Sequence, residues 1–167
     1  MSVLLVRPPE QIGSAVISLL LSQGDVVRVI SADILSAARW KELGAYVARG
    51  SETDADLIER AAQDVRTIVV FEEAQASIEA VLEGAELAGV ERLVVCTSQP
   101  PEDLLVRVRA SRMDYVVLKL GTQRRRGRSR RLRSTAEAID AADDLGGHPR
   151  LEIDLNDAVS RRSLDPG

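Results

Sequence analysis

The chain has 167 residues, of which 45% are hydrophobic and 29% are charged, and its formal net charge is −4. This balance predicts one globular domain with a substantial core, and it excludes a disordered chain or two full domains. Aromatic residues make up only 2% of the sequence, so few side chains are available to stack on a base or a flavin.

The single cysteine, Cys96, excludes an internal disulfide and is typical of a reducing compartment. No apolar run reaches the length of a membrane span, and the first residues lack the pattern of a signal peptide. We therefore expect a cytoplasmic protein without a membrane partner.

Short apolar runs alternate with segments of helical periodicity along most of the chain. The runs that predict strands lie at 2–6, 26–30, 45–48, 67–71, 92–96, 115–120 and 151–155. The segments that predict helices lie at 12–21, 34–43, 53–65, 76–88, 101–111 and 135–145. Thr53 followed by Asp56 is expected to cap the third helix. Near-continuous apolar strands separated by helices predict an α/β fold of one domain, a doubly wound parallel sheet with helices on both faces.

Five segments occur in an order that a known family shares. They are residues 6–13, 24–28, 50–54, 88–94 and 114–118. Together they resemble the NmrA-like group of atypical short-chain dehydrogenases/reductases over residues 3–121. The resemblance implies a Rossmann-like domain at 1–122 and a remnant of the family's substrate subdomain at 134–160, a helix and a strand packed on the same domain. The charge pattern predicts an arginine-rich loop at 123–133 between them, and a frayed tail is expected at 161–167.

The glycine-rich turn of that family is altered in this chain. In relatives the first glycine makes a tight turn, the second admits the pyrophosphate, and the third allows close packing. Here the first position is Arg7 and the second is Glu10, and only the packing glycine, Gly13, is kept. Glu10 is a carboxylate that can itself accept from the helix N–H groups, while Pro8 and Pro9 remove two N–H donors. We therefore expect no cofactor, with NAD(P) as the alternative.

The end of the second strand leaves two interpretations of Asp33. It can bind a ribose hydroxyl, as in NAD enzymes, or it can cap the following helix. Relatives that prefer NADP have an arginine where this chain has Ala32, and relatives have an aspartate near the adenine where it has Ser51. The candidate cofactor-binding residues are therefore Arg7, Glu10, Gly13 and Asp33.

The catalytic triad of short-chain dehydrogenases is matched here only in sequence spacing, by Ser98, Tyr115 and Lys119. That chemistry needs the tyrosine and the lysine on successive turns of one helix, so that the ammonium lowers the pKa of the phenol. The segment 115–120 has the composition of a strand, in which four residues span about 13 Å. We therefore expect no catalytic residue, and these three remain the alternative.

Several other polar residues have simpler interpretations. We expect Cys96 to be a buried small side chain, His148 to lie in a surface turn without a carboxylate partner, and Asp143 to bind no metal. Glu72 and Glu73 follow the fourth strand, where they can receive a cationic ligand or, as we favour, cap the next helix.

Seven arginines lie between residues 124 and 133, on an otherwise acidic chain. The segment is a solvated loop, a docking element for an acidic protein, or a contact for nucleic acid phosphates. The arginines that would bind nucleic acid are Arg124, Arg125, Arg126, Arg128, Arg130 and Arg131.

Taken together, these features favour a non-catalytic regulatory module that senses a ligand or binds a protein partner or a second copy of itself. The first alternative is a NAD(P)-dependent oxidoreductase or isomerase of the atypical short-chain dehydrogenase type. The second alternative is a nucleic-acid-associated regulator that acts through the arginine-rich segment.

Overall fold

A single parallel sheet of seven strands forms the centre of the molecule. The computed structural model describes residues 2–120 and 128–155, with the side chains of all of these except 128–131. The strands are β1 (Ser2–Val6), β2 (Val26–Ser31), β3 (Tyr46–Arg49), β4 (Thr67–Phe71), β5 (Arg92–Thr97), β6 (Asp114–Lys119) and β7 (Arg150–Asp154). Their order is β3-β2-β1-β4-β5-β6-β7, and every neighbouring pair is parallel. The predicted doubly wound α/β fold is confirmed.

Helices cover both faces of this sheet. They are α1 (Glu10–Ser22), α2 (Ile34–Glu42), α3 (Ala55–Ala61), α4 (Ile78–Leu87), α5 (Glu102–Ala110) and α6 (Arg128–Asp143), with a 3₁₀ helix at Glu72–Ser77 before α4. Ile58 of α3, Val81 of α4 and Val108 of α5 share one core layer. Ile17 of α1 and Ile139 of α6 belong to the other layer, together with residues of α2. In β4 and β5 every residue is buried, which is why the positions between their polar ends appear in the sequence as continuous apolar runs.

The predicted cap of α3 is wrong by one residue. Asp54, not Thr53, is the N-cap, and its carboxylate accepts a hydrogen bond from the backbone N–H of Leu57 at 3.0 Å. The hydroxyl of Thr53 instead lies 2.8 Å from the hydroxyl of Ser51. An aspartate at the N-cap serves the same purpose, because it satisfies an N–H group that has no partner within the helix.

The arginine-rich segment is partly helical, which the sequence did not indicate. Among the described residues helix α6 is already present at Arg128, seven residues before the predicted start at Thr135, so the loop interpretation is wrong for residues 128–133. Arg124, Arg125 and Arg126 lie outside the described residues, as does the predicted tail at 161–167.

The far end of α6 is fixed to the amino ends of β4 and β5. The guanidinium of Arg92, which is 3% exposed, donates to the carbonyls of Ala142 (3.0 Å), Asp143 and Leu145 (2.7 Å). The hydroxyl of Thr67 donates to the carboxylate of Asp143. Asp143 is therefore a buried structural group, and desolvation raises its pKa. These bonds satisfy carbonyls at the helix end that have no partner within α6.

Candidate functional site

The strand order places a topological switch point at the carboxyl ends of β1 and β4, and we call the region between these strand ends the crevice. The chain leaves β1 toward β2 on one side and leaves β4 toward β5 on the other, and ligands of doubly wound sheets bind where the connections diverge in this way. The polar residues that follow the strands at this edge are Arg7 after β1, Glu52 after β3, Glu72 and Glu73 after β4, and Ser98 after β5.

The turn from β1 into α1 has a backbone that normally requires glycine. Arg7 has φ +49°, in the left-handed region that side chains other than glycine seldom adopt. Helix α1 then begins at Glu10, and its N-cap, Pro9, makes no side-chain hydrogen bond to the helix. Arg7, which aligns with the first glycine of the family that the sequence resembles, thus has a backbone conformation that favours glycine.

Gly13 allows the turn, α1 and α2 to pack closely. A Cβ atom at Gly13 would lie 2.8 Å from Cβ of Pro8 and 2.8 Å from Cη2 of Trp40, and either contact would force the neighbours apart. The packing role inferred for Gly13 from the sequence agrees with this geometry.

Arg7 lies across the crevice between the strand ends. Its Nη1 donates to Oε1 of Glu52 at 2.7 Å, and its Nη2 lies 3.9 Å from Oε2 of Glu73. The hydrogen bond with Glu52 raises the pKa of Arg7, so the guanidinium stays charged. The side chain of Glu52 is only 8% exposed, whereas that of Arg7 is 42% exposed. One buried carboxylate is therefore neutralised by a cation that still reaches solvent.

Glu10 does not cap α1, contrary to the expectation that its carboxylate accepts from the helix N–H groups. It forms an ion pair with Arg39 of α2 instead. Both side chains are more than half exposed, and ion pairs of this kind contribute about 0–1 kcal/mol. The ion pair between Glu10 and Arg39 therefore dissociates at little cost in free energy when either side chain binds a stronger partner.

Asp33 caps α2, as one of its two interpretations predicted. Its carboxylate accepts a hydrogen bond from the N–H of Ser36 at 2.6 Å. Hydrogen bonds with Ser36 hold the pKa of Asp33 below its usual range. A ribose hydroxyl would have to compete with this cap.

Glu72 and Glu73 lie in the first turn of the 3₁₀ helix, and that helix has no side-chain cap. The favoured interpretation as caps is therefore wrong. Glu72 accepts a hydrogen bond from the hydroxyl of Ser98, while Glu73 lies beside Arg7. Next to Ser98, the hydroxyl of Thr97 is fully buried and has no hydrogen-bond partner among the residues that the structure describes. The ends of β4 and β5 thus hold a linked pair of polar side chains at the crevice.

Tyr115 and Lys119 lie at opposite ends of β6, as their strand composition predicted. Tyr115 is 8% exposed, and the guanidinium of Arg150 lies 5.7 Å from its ring centre. The ammonium of Lys119 is 3.0 Å from Oε2 of Glu152. The fold does not bring tyrosine, lysine and Ser98 together in the arrangement that short-chain dehydrogenase chemistry needs.

Two further residues complete the comparison with the sequence. Cys96 is fully buried, as expected, and desolvation raises the pKa of its thiol. His148 is exposed as expected, but its Nδ1 lies 3.3 Å from Oδ2 of Asp114, a carboxylate partner that the sequence did not indicate. Within residues 2–120 and 128–155, no group of histidine, cysteine and acidic residues could hold a metal ion, and no helix is long and apolar enough to cross a membrane.

Comparison with known proteins defines the fold class of the chain. No protein-family model matches the chain, and no curated protein matches it by sequence. Among solved structures it is similar to ChuY, an anaerobillin reductase from Escherichia coli O157:H7, with a TM-score of 0.70 and 15% identity over 92% of this chain and 96% of that one. The fold is Rossmann-like.

Two further structures share this fold. An NADPH-dependent quinone oxidoreductase from Escherichia coli has a TM-score of 0.71 and 14% identity over 92% of this chain and 67% of that one. A triphenylmethane reductase from Citrobacter sp. has a TM-score of 0.69 and 13% identity over 92% and 68%.

Proposed function

We propose that this chain is a NAD(P)-binding oxidoreductase of the atypical short-chain dehydrogenase type, with its cofactor at the carboxyl ends of β1 and β4. The observation that carries the proposal is the left-handed backbone of Arg7 at φ +49°. A strained conformation at a non-glycine residue costs about 1–3 kcal/mol and persists where the surrounding structure requires it. The reductases that share the fold favour this function over the non-catalytic role that the altered glycine motif suggested.

The residues at the β1–α1 turn fit the phosphates of a dinucleotide. The start of α1 has no side-chain cap, so its N–H groups and helix dipole favour an anion there. Arg39 is half exposed and pairs with Glu10 on the surface, and a phosphate would be a stronger partner than that carboxylate. Gly13 keeps α1 close to the turn. Arg7, Arg39 and the first residues of α1 would therefore hold the pyrophosphate.

The nicotinamide supplies hydride transfer when it is bound, and the chain's own residues position the substrate. The hydroxyl of Ser98, held by Glu72 at the end of β5, is the polar group that we assign to orienting the substrate. Tyr115 and Lys119 take no part, because one is buried at the amino end of β6 and the other is paired with Glu152.

One observation favours a second candidate, the non-catalytic ligand-sensing module that acts through a protein partner or a second copy. Arg7 fills the crevice and is bonded to the buried carboxylate of Glu52. Such a pair is stable in the absence of any ligand, and a chain that has lost its cofactor would keep it.

Calorimetric titration with NADH, NADPH, NAD and NADP separates the two candidates. The oxidoreductase proposal predicts micromolar binding by the unaltered protein. The double variant R7G/E52Q restores glycine at the turn and removes the carboxylate that would otherwise be left unpaired. Binding by this variant alone favours the non-catalytic candidate, and no binding by either protein at millimolar cofactor overturns the proposed function.

A further inference from the structure

Strand β3 is the outermost strand on one side of the sheet, and its outer side is open. Among the described strands it pairs only with β2. The N–H of Gly50 donates to the carbonyl of Ser31 in β2 at 3.3 Å, and backbone groups along a strand alternate in direction from one residue to the next. The N–H and C=O groups of Val47 and Arg49 therefore point away from the sheet, where an added strand could bond to them.

An open groove of about 600 Å³ follows this outer side of β3. Its walls include three small residues, Ala45, Ala48 and Ala61. Ala48 packs against the core layer that contains residues of α3, whereas Val47 packs against the layer that contains residues of α2, so the groove reaches both faces of the sheet. Tyr46 also lines the groove and is 70% exposed, and tyrosine is enriched in protein interfaces. The space and the free backbone groups suit an extended chain.

The charged side chains that line the groove are all cations. They are Arg28, Lys41 and Arg60, and none of the described lining residues is acidic. Arg28 donates to the carbonyls of Ala61 at 2.9 Å and Gln63 at 2.6 Å. Lys41 and Arg60 are exposed, and neither forms an ion pair with a described residue. The whole chain has 26 acidic residues against 22 lysines and arginines, so a groove lined by cations alone differs from the average surface and favours a negative partner.

Helix stability accounts for only part of this charge. Lys41 and Arg60 lie in the last turns of α2 and α3, where a cation is favourable, but that role requires neither the open groove nor the exposed ring of Tyr46. A second copy of the chain paired at the same strand would bring Lys41, Arg49 and Arg60 close to their own counterparts, and like charges repel across an interface. The charges therefore oppose a second copy and favour an acidic partner.

We propose that the open side of β3 is a docking site for an extended acidic segment of another protein, which adds to the sheet as a further strand. Backbone hydrogen bonds with Val47 and Arg49 hold the segment, and its carboxylates pair with Lys41 and Arg60. Strand β2 separates this site from the crevice at β1 and β4, so the docking requires no bound cofactor.

The probe is a labelled, acetylated peptide of alternating glutamate and threonine that is long enough to cover the four residues of β3. Fluorescence anisotropy measures its Kd for the unaltered protein and for two variants with the same change in net charge. K41Q/R60Q removes two cations from the groove, and R107Q/R112Q removes two from exposed positions between β5 and β6. V47P removes an N–H that makes no hydrogen bond within the sheet, a change that an outermost strand tolerates. Circular dichroism checks that each variant is folded.

We expect K41Q/R60Q to bind the peptide about tenfold more weakly, and R107Q/R112Q to bind within about twofold of the unaltered protein. Binding should protect the amides of Val47 and Arg49 from hydrogen exchange, whereas the amide of Ala48, which faces β2, should change little. Folded V47P should lose the binding. If V47P does not fold, the charge variants and the exchange measurement decide the matter.

Three results overturn the inference. The first is equal weakening of binding in both charge variants, and the second is unchanged exchange at positions 47 and 49 when the peptide is bound. The third is equal affinity for a peptide in which lysine replaces every glutamate. If light scattering instead shows that the unaltered protein dimerises and that V47P is monomeric, the open side of β3 belongs to a second copy and the inference also falls.

Discussion

The two edges of the sheet use arginine in opposite ways. At the amino edge, Arg92 is buried and donates to three neutral carbonyls at the end of α6. At the carboxyl edge, Arg7 is partly exposed and pairs with the carboxylates of Glu52 and Glu73. The partners of Arg92 cannot be exchanged without uncovering backbone groups, whereas the exposed carboxylate of Glu73 can be replaced by another anion at Arg7. One edge holds the fold together, and the other is the edge at which we propose that a ligand binds.

Replacement of Arg92 should give the largest loss of stability. R92M leaves three carbonyls at the end of α6 without their donor in a buried place, and we expect the free energy of unfolding to fall by about 3–4 kcal/mol. Urea denaturation measures this change. R112M, at an exposed position near the same edge, is the control and should change stability by no more than about 0.5 kcal/mol. A loss below 1 kcal/mol for R92M would contradict the anchoring role.

Replacement of Arg7 should give a smaller loss that a second change restores. R7A leaves the carboxylate of Glu52 buried without its partner, and we expect a loss of about 1–3 kcal/mol by urea denaturation. The double variant R7A/E52Q should recover most of it, because the buried charge is gone. The single variant E52Q completes the set. If the loss of stability in R7A/E52Q equals the sum of the losses in R7A and E52Q, Arg7 and Glu52 are not coupled and the comparison with Arg92 fails.

The buried carboxyl of Asp143 should make stability depend on pH. Its pKa is raised by burial, so the unfolded chain releases this proton at a lower pH than the folded protein does. Stability from this group is therefore present below the unfolded pKa and is lost as pH rises through the raised folded pKa, by about 1.4 kcal/mol for each pKa unit. Thermal unfolding between pH 3 and pH 7 measures the loss.

The variant D143N should lack this part of the pH dependence, and D144N, at the exposed neighbouring position, should retain it. Identical pH profiles for D143N and the unaltered protein would show that Asp143 keeps an ordinary pKa in the fold.

Replacement of Glu10 should have the smallest effect on stability, and it should strengthen the binding of NADPH. The ion pair with Arg39 is exposed, so E10Q should change the free energy of unfolding by less than about 0.5 kcal/mol. It also removes a negative charge from the start of α1, so the affinity for NADPH should rise several-fold in calorimetry. Weaker binding by E10Q would mean that Glu10 contributes to the site rather than opposing a phosphate.

The strands were predictable because a parallel sheet covered on both faces buries whole apolar runs. β4 and β5 are buried at every position, and their boundaries agree with the sequence pattern to within one residue. The start of α6 was not predictable, because arginines next to a helix N-terminus contradict the usual signals for a helix start.

The contacts of the candidate site could not be predicted from patterns of neighbouring residues in the sequence. Arg7 and Glu52 are 45 positions apart, and Ser98 and Glu72 are 26 apart, so only the folded sheet brings each pair together. The exception is Tyr115 and Lys119, whose strand composition already argued against a catalytic pair.

Trp40 has a consequence for how the protein is studied. It is the only tryptophan in the chain, it is 1% exposed, and its ring lies against Gly13 beneath the β1–α1 turn. Its emission therefore comes from one known place, with no second tryptophan to separate from it. Quenching of that emission, or transfer of its excitation to a reduced nicotinamide, would report occupancy of the turn without any label. The protein carries its own fluorescent reporter at the proposed cofactor site.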